Sequence, residues 1–236
     1  TKAPQVAMAR EWAYGVNRRA GAYSSSEGDI VYTVGAVVVL YSPQWNEQRH
    51  FCGHSERIAA LAVSANGSTA ATATVRLDTP ILIWDVSTLQ VRAQCNITWP
   101  ESETTVHIVQ ALSFTPDAAT LVCCFRIGVR GSGVATWDTR TGSCTAHFTS
   151  AEMDLRCAVA INMGCVAYSP RLVHRWVFSP PSRTLVRCAV EPVPVPSDEE
   201  VTITPQLGDF CSIAATPEGD RVVLGTIDGS LVVYER

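Results

Sequence analysis

Charge is scarce in this chain. Only 17% of its 236 residues are Asp, Glu, Lys or Arg, against roughly a quarter in ordinary soluble domains. Disorder over most of the length is excluded, because 47% of the residues are hydrophobic and can build a core. A basic excess is lacking as well. The net charge of −4 argues against general nucleic-acid binding, which depends on Lys and Arg displacing counterions from phosphates. Paired cysteine spacing is missing too. Nine cysteines stand at 52, 95, 123, 124, 144, 157, 165, 188 and 211, an odd number with no C-x-x-C and no Cys/His cluster. Zinc of the usual spacing is excluded, and buried free thiols in a reducing compartment are expected.

The motifs of catalysis are absent. There is no G-x-S-x-G, P-loop, G-x-G-x-x-G or H-E-x-x-H, so no catalytic residue, metal or cofactor is assigned and an enzyme is not expected. Gly131-Ser132-Gly133 reads as a loop between strands, and Asp198-Glu199-Glu200 as a solvated acidic loop. No signal peptide is visible. Ile30 to Tyr41 runs twelve residues without a charge, but as a helix it would rise only ~18 Å, short of the ~30 Å bilayer core. Its valines favour strands, and Gly35 in its middle predicts a turn between two of them. No membrane partner follows from it.

Helical periodicity is hard to find anywhere. Short apolar runs alternate instead with turn clusters: SSSEGD, SANGS, TPDA, RGSG, DTRTGS, TPEGD and IDGS. Five- or six-residue strands joined by such turns predict an all-β fold. The order of the runs repeats. The clearest unit has Gly53-His54 in front, strands at Ile58–Val63, Thr69–Val75 and Ile81–Asp85, then a last strand from Leu89 to Cys95. Four strands with Gly-His at the start and Trp84-Asp85 near the end describe a blade of a WD-repeat β-propeller.

The pattern recurs with Trp137-Asp138, Trp176, Tyr234 and, looking backwards, Tyr41 in the Trp84 position. These markers are spaced 43, 53, 39 and 58 residues apart, near the ~40–45 expected for this architecture. About five blades are visible, the end ones incomplete: 1–53, 54–103, 104–151, 152–204 with its proline-rich acidic loop, and 205–236. All belong to one propeller domain. A seven-bladed ring at this period needs about 290 residues, so the chain reads as part of a larger propeller, whose open strand edges invite self-association. Within the clearest blade, His54 is expected to bond a turn carboxylate, with Asp78 the candidate. Thr72 or Thr74 would link His54 to the Trp84 indole, a buried network that fixes blade geometry.

The first ninety residues resemble the echinoderm microtubule-associated protein-like family. Trp12-Ala13-Tyr14-Gly15 is similar to the start of that family's HELP motif. Ile30 to Tyr41 resembles the motif's hydrophobic end, and Gln48-Arg49-His50 leading to Gly53-His54 resembles its junction with the first WD repeat. The resemblance implies a non-enzymatic, cytoplasmic scaffold that binds tubulin or microtubules, with the HELP region built into the propeller. Axonemal microtubules in a cilium or flagellum are one setting for it. A general WD-repeat scaffold, in a cilium or a signalling complex and without tubulin binding, is the alternative. Tubulin tails are acidic, so the basic residues Arg18, Arg19, Arg171 and Arg175 are the candidate partner contacts.

Overall fold

Turn residues cut this chain into strands too short and too β-branched to become helices, and strands that present one apolar face must stack. The computed structural model describes residues 12–17, 20–75, 79–96, 107–129, 131–170, 172–179, 184–188 and 209–235. Among them all regular structure is β-strand, in five antiparallel sheets. The first sheet holds β1 (Ala22–Ser24), β2 (Ile30–Val34), β3 (Val37–Ser42) and β4 (Glu47–Phe51). The second holds β5 (Ile58–Val63), β6 (Thr69–Thr74), β7 (Ile81–Asp85) and β8 (Val91–Cys95). The third comprises β9 (His107–Phe114), β10 (Thr120–Ile127), β11 (Gly131–Asp138) and β12 (Cys144–Ser150). The fourth comprises β13 (Cys157–Ile161), β14 (Gly164–Tyr168), β15 (Val173–Ser179) and β16 (Thr184–Cys188). The fifth has three strands, β17 (Phe210–Ala215), β18 (Arg221–Thr226) and β19 (Leu231–Glu235).

The apolar residues that alternate along these strands form four cores, each between two consecutive sheets. Leu40 and Phe51 meet Trp84, Ile83 meets Trp137, and Cys124 and Ala146 meet Trp176. Val166 and Tyr168 meet Leu224 and Tyr234 in the fourth. Each marker aromatic from β7 onward therefore faces the preceding sheet. Trp84 stacks on Phe51 with centroids 4.2 Å apart and planes 7° from parallel, so two large aromatic faces bury each other. The sheets converge at their first strands. β1 packs beside β5, β5 beside β9, β9 beside β13, and β13 beside β17. Residues of all five sheets, among them Tyr23, Ala62, Ala111, Ala160 and Ala215, line a central cavity of about 410 Å³. Successive four-stranded antiparallel sheets around a common channel are WD-repeat propeller blades, as the repeat in the sequence implies.

The uncharged run from Ile30 to Tyr41 is the β2–β3 hairpin, turning at Gly35 with φ of 59°. No helix among the described residues is long and apolar enough to cross a membrane.

Three details depart from the sequence reading. β1 was not foreseen. β8 starts at Val91 rather than Leu89, because Leu89 takes a left-handed φ of 58° in the turn after Asp85. Gly131-Ser132-Gly133 is no loop: it opens β11, paired with Phe125 to Ile127. Ser132 is buried and its hydroxyl accepts from Leu155 N at 2.9 Å. A Cβ on Gly133 would come within 2.6 Å of the Phe125 ring, so glycine here serves strand packing rather than flexibility.

Candidate functional site

The second sheet carries the polar network. His54 follows β4 in the approach to β5, and its Nε2 lies 2.8 Å from Thr72 Oγ1. The Trp84 indole N–H donates to the same hydroxyl at 3.3 Å. Thr72 and Trp84 are both fully buried. Burial pushes the His54 imidazole below its ordinary value of 6.5, and the Thr72 contact opposes that only in part. A neutral, screened imidazole suits a blade clamp. Thr74 instead bonds the Thr79 hydroxyl. Asp78 lies outside the described residues.

Register explains why this network occurs once among the described residues. Trp84 sits opposite Ala70, and Thr72 is two residues further along β6. Leu121 and Cys165 stand opposite Trp137 and Trp176. Two residues on come Cys123 and Ala167, which offer no hydroxyl. Accordingly Trp137 Nε1 and Trp176 Nε1 are buried with no hydrogen-bond partner. In the first and fifth sheets the same count from the marker tyrosines arrives at Tyr32 and Leu224. Counting two residues along the second strand from the marker would have found this in the sequence.

The Asp of each Trp-Asp pair builds a turn. Asp85 Oδ1 accepts from Ser87 Oγ at 2.7 Å, Ser87 N at 3.0 Å, Thr88 N at 2.8 Å and Thr88 Oγ1 at 3.0 Å. Its other oxygen meets Arg92. The Ser87 hydroxyl, then the Thr88 amide, hold this carboxyl far below the usual range. Asp138 does the same with Thr141 N at 2.8 Å and Arg140 N at 3.0 Å, and its carboxyl is also lowered, first by Thr141 N–H. These carboxylates are consumed by turn geometry.

Arg18, Arg19 and Arg171 lie outside the described residues. Arg175 is half-buried and occupies the position just before the marker aromatic. Leu40, Ile83 and Thr136 fill that position in the first three sheets, all essentially buried. It pairs with Val166, which faces the fifth sheet, and its Nε is buried without a hydrogen-bond partner. The nearby His174 is also buried.

A feature the sequence reading missed is a strap across the outer face of the first sheet. Ala13 N donates to Gln48 Oε1 at 2.8 Å. Trp12 meets the Tyr41 ring edge-on, centroids 6.1 Å apart. Asn17 N donates to Thr33 O, and Asn17 Nδ2 to Ile58 O, each at 2.8 Å. Val39 on this outer face has no exposed surface.

The free thiols divide by exposure: Cys52, Cys144 and Cys211 are exposed, whereas Cys95, Cys123, Cys124 and Cys165 are buried. Burial pushes the thiols of Cys95 and Cys165 up to about 12 and that of Cys157 to about 11, so they stay protonated and inert. Among the described residues no group of His, Cys, Asp and Glu is placed to hold a metal ion.

Fold and site together define a WD-repeat propeller assembly. No family model matches the chain. It is similar to Echinoderm microtubule-associated protein-like 2 of Homo sapiens, 37% identical over 102 residues, covering 37% of this chain and 16% of that protein. It is 29% identical over 125 residues to the 77 kDa echinoderm microtubule-associated protein of Strongylocentrotus purpuratus, covering 45% and 18%. Human WD repeat-containing protein 90 is 34% identical over 94 residues, covering 40% and 5%. The resemblance to echinoderm microtubule-associated protein-like proteins thus holds over about two fifths of the chain, and the matched part spans less than a fifth of these relatives.

Proposed function

We propose that this chain is part of a non-enzymatic scaffold of the cytoplasmic cytoskeleton that binds tubulin or microtubules through its propeller. The observation that carries this is the 37% identity, over 102 residues, to a relative named as microtubule-associated. It is supported by a blade in which His54 and Trp84 both bond the Thr72 hydroxyl, the internal network of a WD-repeat scaffold. Division into blades at 53, 103, 151 and 204, with a HELP-type segment in the first, belongs to the same proposal.

The test is co-sedimentation of the purified chain with stabilised microtubules, and size-exclusion chromatography with unpolymerised tubulin, at low and moderate salt. Binding that weakens as salt rises is expected, because acidic tubulin tails would be met by Arg residues. Neutralising Arg18, Arg19 and Arg171 together should reduce it at least several-fold. A chain that remains in the supernatant with microtubules and elutes apart from tubulin would sink the reading. A second reading, a WD-repeat interaction scaffold without direct tubulin contact, is favoured by the similarity to WD repeat-containing protein 90. Stable capture of other proteins in the absence of tubulin binding would decide for it.

A further inference from the structure

The turn between β5 and β6 holds Asn66-Gly67. Asn17, Asn46, Asn96 and Asn162 precede Arg, Glu, Ile and Met, so Asn66 is the asparagine of this chain that glycine follows. Glycine leaves its own amide nitrogen unshielded and its backbone free to turn. When the turn opens, the nitrogen of Gly67 can reach the Asn66 carboxamide. A C–N bond forms between Gly67 N and Asn66 Cγ, the Cγ–Nδ2 bond breaks, and ammonia leaves with the proton of the Gly67 amide. The cyclic imide that results takes up one water. Opening at Cγ gives aspartate in the ordinary chain. Opening at the main-chain carbonyl gives isoaspartate, whose chain runs through Cβ and Cγ and is one methylene longer.

Asn66 is exposed in this turn, and Gly67 is buried. The Gly67 amide donates to Ser64 O at 2.8 Å. Asn66 Oδ1 accepts from Ser64 Oγ at 2.7 Å, Ser68 Oγ at 2.8 Å and Ser68 N at 3.1 Å. The turn between β9 and β10 repeats the arrangement with a carboxylate. Ala118 N donates to Thr115 O at 2.8 Å, and Asp117 Oδ1 accepts from Thr115 Oγ1 at 2.6 Å and Ala119 N at 3.0 Å. Ala118 and Gly67 share a left-handed backbone, with φ of 56° and 70°. Asp117 therefore displays the bonds that an aspartate at position 66 would make. Those bonds, the Thr115 hydroxyl first, hold its carboxyl below the ordinary value.

An added methylene meets a different limit. Gly67 lies against the turn between β1 and β2. A Cβ on it would stand 2.2 Å from Ser26 N and 2.6 Å from Ser25 C. Its carbonyl accepts from Ser26 N at 3.2 Å. These neighbours are backbone and cannot rotate away. The chain from Asn66 to Gly67 cannot lengthen without shifting Gly67 on this seat, and the seat joins the first sheet to the second.

We propose that Asn66 is a site of spontaneous deamidation whose two products differ in consequence. Aspartate is held as Asp117 is held, whereas isoaspartate breaks the Gly67–Ser26 contact between the first and second sheets.

The experiment ages the whole chain in mildly alkaline buffer beside Asn66→Asp, which carries the ordinary product from the start. Peptide mass mapping, with fragmentation that separates aspartate from isoaspartate, should find residue 66 converted several-fold faster than the other asparagines. Amide hydrogen exchange at Ser26 is then followed in the aged chain. It should quicken about ten-fold in the isoaspartate form and keep its native rate in Asn66→Asp. An Asn66 that stays intact, or converts no faster than the others, overturns the proposal. So does isoaspartate that leaves Ser26 as protected as before. An Asn66→Asp chain in which Ser26 exchanges as fast as in the isoaspartate form overturns it equally, because the turn would then reject either product.

Discussion

Thr72 shows how much one hydroxyl carries. It serves both the half-buried His54 imidazole and the fully buried Trp84 indole. Thr72→Val keeps the shape and removes the oxygen, so a buried donor is left unsatisfied. That costs about 1–3 kcal/mol, a fall in melting temperature of about 2–4 °C per kcal/mol for a domain of this size. The reverse change is available one sheet further on. Cys123→Ser places a hydroxyl at the equivalent register position, two residues from the partner of the unpaired Trp137 indole. Its expected effect is a higher melting temperature, and scanning calorimetry of the two variants checks both signs. Acid acts on the same network. The folded state holds His54 below its ordinary value, so between the folded and unfolded values the unfolded chain binds more protons, and stability falls as pH drops below about 6.5. Burial lowers His147 in the same way. Asp85 and Asp138 are depressed from 3.8. Their contribution is complete above that value and is lost as pH falls further towards their folded values. Two successive acid-induced losses are expected, and His54→Gln should diminish the first while leaving the second. Melting temperatures from pH 7.5 to pH 3 give the comparison.

Elements in this chain are set by turns, and the tightest turn gives the sharpest expectation. Gly164 opens β14 with φ of 153°, and a Cβ there would stand 1.9 Å from the Trp176 carbonyl oxygen. That oxygen is strand backbone and cannot rotate away. Gly164→Ala should therefore cost about 3 kcal/mol and open the fourth sheet first, with Trp176 emission shifting to the red at temperatures where the native chain is intact. Arg175→Leu should do the opposite. It puts an apolar side chain where Leu40 and Ile83 stand in sister sheets and removes a charged group whose Nε has no partner. Stability should hold or rise. Loss of microtubule binding in this stable variant would assign Arg175 to the contact; unchanged binding would assign it to packing. Most strands were legible in the sequence, because turn clusters bound them and Trp84, Trp137 and Trp176 mark the third strand of a unit. What escaped was decided by tertiary contact. β1 is three residues long and pairs only because β2 is beside it. Gly131 to Gly133 has loop composition but lies against Phe125. Leu89 looks like strand, yet the Asp85 turn forces it left-handed. The site was legible as a pattern, and Thr72 was separated from Thr74 only by register across β6 and β7.

At the scale of the whole molecule, stability should be graded along the arc. Among the described residues the second, third and fourth sheets each lie between two apolar cores, whereas the fifth contributes to one. The first also contributes to one core but gains the Trp12 to Asn17 strap on its other face. Burial of apolar area is the main force holding a sheet in place, and a sheet with one covered face opens at lower free energy than one with two. Backbone amides of the fifth sheet, such as those of Val222 and Leu224, should then exchange before those of Ala71 in the second and Val122 in the third. All four residues are buried in the free chain, so exposure alone does not predict the difference; only the unequal number of cores does. The first sheet should fall between these limits and move towards the fifth when Trp12→Ala loosens the strap. Native-state hydrogen exchange at low denaturant reads the order directly. A single common exchange free energy for all five sheets would instead mean that the arc unfolds as one unit, with the shared channel rather than the separate cores setting its cooperativity.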